Sequence, residues 1–409
     1  MIMKNPILTF FLSLLLGDSL AHGASHNVGV GQSIQTAVNG AASGDSIVLT
    51  APTNYDGNVS ITGKALRIVS LHRNNHDLTG SVTISAVPAG QSVTFNNLSL
   101  SGTVTATDSS LNLLRCTLGQ EVNATNPGSV NTQLAIVQSA LSGKLHSSLS
   151  RTWVGYSDLR QGYFEGYVEI VGNIFDGEGF GGIGIDLNGS STMANVHNNI
   201  VKNFFGLYPS SMKEVCIGIR INSMATATIK NNQIQNNRNS SHRANSYSGM
   251  GIFVKSGQSV LISSNMIRDN RVDHGNPDSI TGNAQIWAPA HNVKILYNTI
   301  HNDGYNISPV NGGASDLHSI SNVDFNGQNF LTQPAHWMSG KTGKDKGSPK
   351  DIDKDHDGSR NDIGPNGGRN YVPNGRTTDK TIPISFSIAP QIVQVGGTVT
   401  IESTGATVK

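Results

Sequence analysis

The sequence predicts an all-β solenoid, a 409-residue chain wound into stacked coils of short strands. The main observation is a repeated pattern between Val196 and Asn302. It reads Val196–His–Asn–Asn199–Ile–Val201, Ile229–Lys–Asn–Asn232–Gln–Ile234, Ile262–Ser–Ser–Asn265–Met–Ile267 and Ile295–Leu–Tyr–Asn298–Thr–Ile300. The asparagines are spaced by three steps of 33 residues, and a fixed period in this range marks a solenoid. A second observation is that Gly218–Ile–Arg–Ile–Asn222 and Ala225–Thr–Ala–Thr–Ile229 alternate and are rich in β-branched residues, as strands are. The third is that each column asparagine has Ile or Val three residues before it and an apolar residue two after, which places it at a bend between two strands. There its amide can bond the backbone of its own coil and of the next, forming a buried ladder between coils about 4.8 Å apart.

Taken in order, residues 1–24 read as a secretory signal peptide. Lys4 precedes the apolar run Pro6 to Leu16, and small residues follow around Ala21–Ala24. The run is too short to span a bilayer, so the expectation is a secreted, periplasmic or cell-surface protein with no membrane span. Charged residues make up only 13% and the net charge is +1 with no basic stripe, which argues against nucleic-acid binding. One elongated domain, acting as a monomer, accommodates the mature length. Two cysteines, Cys116 and Cys216, are too few for a disulfide framework and lie several coils apart.

Residues 25–71 hold a short amphipathic helix at Ile34–Val38 and the first strands. Residues 72–339 form the solenoid. Before the 33-residue steps begin, the ladder column is traced through Leu98, Cys116, Ser139, Ser157, Asn173 and Asn199, with a last rung near Val323. In the long coils the extra length falls after the third strand, at residues 204–217, 237–250, 270–283 and 303–319, so these loops line one side. Residues 340–380 read as a polar, acidic linker. Within it Asp353–Lys–Asp–His–Asp–Gly358 has the alternating oxygen spacing of a calcium loop, with Asp353, Asp355, Asp357 and Asp362 as ligands for Ca2+. Gly364 stands where an EF-hand carries its bidentate Glu, so the EF-hand pattern is incomplete. Residues 381–409 form a short β-strand appendage, Ile382–Ile388 and Thr398–Ile401.

This repeat pattern resembles the right-handed parallel β-helix family, the pectate-lyase-like solenoids of secreted bacterial type. The resemblance covers most of the chain. It implies triangular three-strand coils with the ladder at the bend between the second and third strands, and an N-terminal cap over the first coil. It also implies a polysaccharide cleft along the outward strand beside the loops. The run Asp357–Gly–Ser–Arg–Asn–Asp–Ile–Gly364, followed by Gly367 and Gly368, resembles the closing segment of many such proteins. The family's catalytic motifs are absent here: there is no pectate-lyase arginine motif, no polygalacturonase Gly-His-Gly and no pectin-methylesterase aspartate motif.

Alternation supplies the candidate chemistry. If Ile219 and Ile221 point inward, Arg220 points out, and Asp186 and Lys255 lie on the same flank one coil to either side. Eliminative cleavage of a uronic-acid polymer needs a cation at the carboxylate and a base for the adjacent proton. The expected catalytic residues are therefore Arg220, Lys255 and Asp186, with Arg238, His242, Arg243, Arg271, His274 and Trp287 binding substrate. Asp186 and Arg220 equally fit a solvated cross-coil salt bridge. The functional expectation is a secreted polysaccharide lyase, and the alternative is a non-catalytic glycan-binding or structural β-helix protein.

Overall fold

The computed structural model describes residues 23–72, 77–126, 131–206, 214–239, 247–272, 285–288, 293–301, 317–318, 323–324, 330–331, 344–350, 353–355, 357–368, 371–372, 374–377, 382–389 and 400–406. The expected signal peptide lies outside them, apart from Gly23 and Ala24. The chain winds as a parallel β-helix with three strand-bearing faces per coil. One coil runs through Ala225–Lys230 on the first face, Gln233–Gln235 on the second and Tyr247–Val254 on the third. Each strand pairs in parallel with its equivalent one coil away: Ile229 with Ile262, Ile234 with Ile267 and Ile219 with Ile252. The second and third faces are continuous in the earlier coils, where Ala140–Ser147 and Asp158–Phe164 each turn the corner as one strand.

The core follows from alternation. Val196, Ile229, Ile262 and Ile295 from the first face meet Val201, Ile234, Ile267 and Ile300 from the second, and Ile185, Ile219, Ile252 and Ile286 from the third. Each is fully buried, which stabilises the fold by about 1.5–3 kcal/mol per side chain relative to exposure.

The bend between the first two faces makes this stacking specific. Before each ladder residue the backbone is left-handed, at Asn198 (φ 59°), Asn231 (54°), Ser264 (59°) and Tyr297 (58°), with Gly172 (68°) in an earlier coil. A non-glycine residue in this conformation costs roughly 1–2 kcal/mol. The ladder amides hold the bend against that cost. Asn232 Oδ1 accepts from the Asn199 N–H (3.0 Å) and from Asn199 Nδ2 (3.0 Å), while its own Nδ2 donates to Val196 O and Lys230 O (2.9 Å each) and to Asn265 Oδ1 (3.0 Å). The chain of bonds continues to Asn298 in one direction. In the other it passes through Asn173, Ser157 and Ser139 to the Cys116 N–H, along the traced column. Cys116 is a buried thiol there, and burial pushes its pKa up to about 12.

Two features depart from the sequence reading. Residues 214–217 and 247–250, expected in loops, are the first halves of the strands Glu214–Ile221 and Tyr247–Val254. Cys216, placed at a loop end, is therefore a fully buried strand residue with φ 56°. A second ladder also occupies the corner between the second and third faces. Asn237 Oδ1 accepts from the Phe204 N–H, Asn237 Nδ2 donates to Asn270 Oδ1 (2.7 Å), and Asn270 Nδ2 donates to Gln285 Oε1 (2.7 Å). Just beyond it, Phe205–Gly206, Arg238–Asn239 and Arg271–Val272 pair as a small parallel sheet where the long coils leave the core.

At the N-terminal end the helix Ile34–Gly40 is capped by Ser33 and buries Ile34 and Val38 in the main core. Gln35 exchanges two hydrogen bonds with Ser60, accepting from its N–H (2.6 Å) and donating to its carbonyl (3.1 Å). This side-chain amide stands in for a neighbouring strand at an open edge, the liability that a cap removes.

The segment read as a linker is fastened to the coils. Asn198 Nδ2 donates to Pro365 O and Gly367 O, Asn231 Nδ2 to Asp362 O, and the Ser348 N–H to Ser264 Oγ. Lys230 pairs with Asp353 at 2.8 Å, Gln138 Nε2 donates to Gly375 O, and Arg376 pairs with Asp158. Val372 packs on a satellite apolar cluster of Leu114, Val137, Trp153, Tyr156 and Val171. A Cβ at Gly375 would lie 2.3 Å from the Tyr156 ring, so only glycine permits this approach. Residues 344–377 thus act as a strap along the bend column. The strands Ile382–Ala389 and Thr400–Ala406 of the expected appendage form an antiparallel pair.

We expect Asn232→Ala to cost roughly 2–3 kcal/mol in urea denaturation, because it strands buried donors and acceptors of two neighbouring coils. The strap should loosen in acid. Burial alone raises the Asp353 pKa, but hydrogen bonds from Lys230 and Ser348, with nearby lysine charges, outweigh it and hold the carboxyl below its ordinary value. A depressed carboxylate contributes stability above its unfolded pKa of about 3.9 that is lost as pH falls through the folded value. Pepsin cleavage within residues 344–377 should therefore rise steeply below about pH 4, and Asp353→Asn should flatten that dependence.

Candidate functional site

The outward side of the third face carries a register-aligned column: His146, Tyr163, Asp186, Arg220, Phe253 and Trp287, one residue per coil. Strand alternation sends the core residues inward and leaves these on the outside.

Asp186 and Arg220 are brought together as the sequence suggested. Arg220 Nε donates to Asp186 Oδ1 at 2.9 Å and Nη2 to Oδ2 at 2.5 Å, a bidentate pair, and Asn188 Nδ2 adds a bond to Oδ1 at 3.1 Å. Both side chains are largely buried, at 10% and 16% exposure, so this is not a solvated surface bridge. The fork geometry fixes the guanidinium plane. Lys255 is exposed. It lies one coil beyond Arg220 and two positions along the strand, in the row of Asn188 and Asn222, and its N–H donates to Ile221 O.

Beyond Arg220 the column turns apolar. Phe253 and Trp287 are buried in a cluster with Ile217 and Met250. Trp287, expected as a sugar-stacking surface, is instead 5% exposed and packed. Arg238 and Arg271 are register partners in the small corner sheet, not on the Asp186 face, and Arg238 Nε donates to Asp269 O. His242, Arg243 and His274 lie outside the described residues.

Toward the N-terminal coils the face holds groups that the sequence reading missed. The Tyr163 hydroxyl donates to Glu165 Oε1 at 2.5 Å, and the His146 ring meets the Tyr163 ring edge-on, with centroids 4.6 Å apart and planes at 80°. Burial, then the bond to Glu165 and the charges of Glu165 and Asp186, push the Tyr163 pKa above its ordinary value, with Arg220 opposing. A signal for this row was present. Gly162–Tyr163–Phe164 carries the same alternation as Ile185–Asp186–Leu187, but the two segments stand at different distances from their ladder residues Ser157 and Asn173. Unequal coil lengths concealed it.

The four aspartates expected to hold Ca2+ do not fit as one ligand set. Asp353 faces Lys230. Asp355 accepts from the Gly368 and Asp362 N–H groups, Asp357 from the Ser359 N–H, and Asp362 from the Asp345 N–H. Asp355 is raised above its ordinary pKa, chiefly by burial. Among the described residues no group of three or more His, Cys, Asp or Glu side chains is placed to hold a metal ion. In this structure the alternating carboxylates accept from backbone N–H groups of the strap.

The fold is a parallel β-helix, and this face carries a charged outward column. No protein-family model and no curated protein matches the chain. Among solved structures it is similar to a PL6 family polysaccharide lyase from Pseudopedobacter saltans, at 12% identity over 76% of this chain and 93% of that one, with a TM-score of 0.38. No described helix is long and apolar enough to cross a membrane.

A calcium loop occupied at 100 times its Kd would add about 2.7 kcal/mol of stability. We expect thermal melts in excess calcium and in excess chelator to superimpose.

Proposed function

We propose that this is an exported, carbohydrate-active protein that binds an acidic polysaccharide along the outward side of the third face and cleaves it by β-elimination. The observation that carries the reading is the Arg220 guanidinium held in a fixed plane by Asp186 in a column crossing consecutive coils. A linear polymer laid along the solenoid axis meets one row of that column per coil. Arg220 donates from Nε and Nη2 to Asp186. A planar guanidinium is a cation suited to carboxylates, and on this reading its charge beside a sugar carboxylate stabilises the negative charge that develops when the neighbouring proton leaves. On this reading Lys255, one coil further, holds the carboxylate of an adjoining sugar.

One observation favours a second reading, a glycan-holding or structural β-helix without catalysis. Asp186 already neutralises Arg220, so the pair is complete without a ligand.

The test is ultraviolet absorbance of the unsaturated product across a panel of uronic-acid polysaccharides, with reducing ends measured alongside. We expect product from at least one polymer and a loss of about 10²–10³-fold in kcat for Arg220→Ala, the scale of removing one charge-stabilising donor. A flat trace with no reducing ends released would leave the second reading standing.

A further inference from the structure

Elimination needs three functions: a cation at the carboxylate, a base for the proton on the adjacent carbon and an acid for the leaving oxygen. Asp186 and Arg220 supply only the first. The acid and base must both reach one sugar, because the carbon losing the proton and the carbon losing the oxygen are bonded neighbours. Lys255 lies three coils from Tyr163, so the two are not a contacting pair. The coils immediately before Asp186, however, carry two groups of the required kind in contact with each other.

We propose that His146 and Tyr163 form the proton-transfer pair of this face, with Glu165 as a positioning residue. The proposal rests on the elimination reading given above. His146, Tyr163 and Asp186 are consecutive register partners, so they stand at the spacing of neighbouring strands, about 4.8 Å, with the Arg220 guanidinium folded onto Asp186. The 4.6 Å ring contact fixes the two side chains of the pair relative to each other. Glu165 accepts the Tyr163 proton at 2.5 Å, so it sets the direction of the hydroxyl and keeps the phenol protonated.

The step balances. A neutral His146 imidazole takes the proton from the carbon beside the carboxylate, and the electron pair of that C–H bond becomes the new C=C bond. The bond from the next carbon to the glycosidic oxygen breaks, and that oxygen takes the Tyr163 hydroxyl proton. His146, now an imidazolium, returns its proton to the adjacent phenolate, which restores both groups with no co-reactant. A phenol with a raised pKa remains a competent donor here, because the leaving alkoxide is far more basic. The push upward from burial and Glu165 preserves the donor in mildly alkaline solution.

The test uses the full chain and any polymer that the wild type cleaves, with melting temperature as a check on folding. Tyr163→Phe and His146→Gln should each lower kcat by about 10²–10⁴-fold, the usual contribution of general acid–base catalysis, with KM changed little. Glu165→Gln removes a charge that raises the Tyr163 pKa, so the alkaline limb of the pH–rate profile should move to lower pH. A merely structural role would not shift it. Wild-type kcat in a folded Tyr163→Phe or His146→Gln protein would overturn the pair and leave the elimination reading intact. A wild type inert on every polymer would remove both.

Discussion

The interaction on which the molecule depends is the side-chain amide at the bend of each coil. Asn199 and Asn232 each bond backward to their own turn and forward to the next coil, Asn265 bonds forward to Asn298, and Asn298 bonds backward to its own turn. Every one is fully buried, so any slip in stacking would leave several amide groups without partners in an apolar interior, at about 1–3 kcal/mol each. The ladder therefore fixes the register of the whole solenoid. Register in turn decides which outward residues become neighbours. Asp186 and Arg220 lie 34 positions apart in the chain and face each other only because the coils cannot shift by one residue.

The same bend creates a second requirement. Its left-handed residues point polar groups outward at Asn198, Asn231 and Ser264, and the chain meets them with residues 344–377. Those outward groups give the strap its grip, and Val372 covers an apolar patch of the first face. The strap and the charged column thus occupy different faces, the first and the third.

The fold was legible because the ladder repeats with a regular period and strict flanking residues. Even the irregular early column could be walked through Cys116, Ser139 and Ser157, since a hydroxyl or thiol satisfies the same steric slot. The pairing of Asp186 with Arg220 was legible for the same reason. What escaped was local chemistry that does not repeat. The Asn237–Asn270 ladder has few rungs and sat inside apparent loops. The aspartates of the strap copy a metal-loop spacing, yet alternation alone cannot tell an oxygen aimed at a cation from one aimed at a backbone N–H. Trp287 looked like a binding surface because sequence gives exposure only by analogy, whereas Phe253 and Met250 bury it.

The position of the column within the solenoid also bears on its use. His146 and Tyr163 belong to the short early coils, where one strand turns the corner between two faces without a loop. Arg220 belongs to the first of the long coils, whose extra residues leave at that same corner. The row Tyr163–Asp186–Arg220 therefore spans the change in coil length and is bordered on the late side by the buried Phe253 and Trp287. A solenoid of uniform coils would give a polymer many equivalent rows and no preferred register. Here the Asp186–Arg220 pair adjoins a buried apolar cluster, so the rows of this column differ along the axis, which is the condition for a chain molecule to be held at one place along its length.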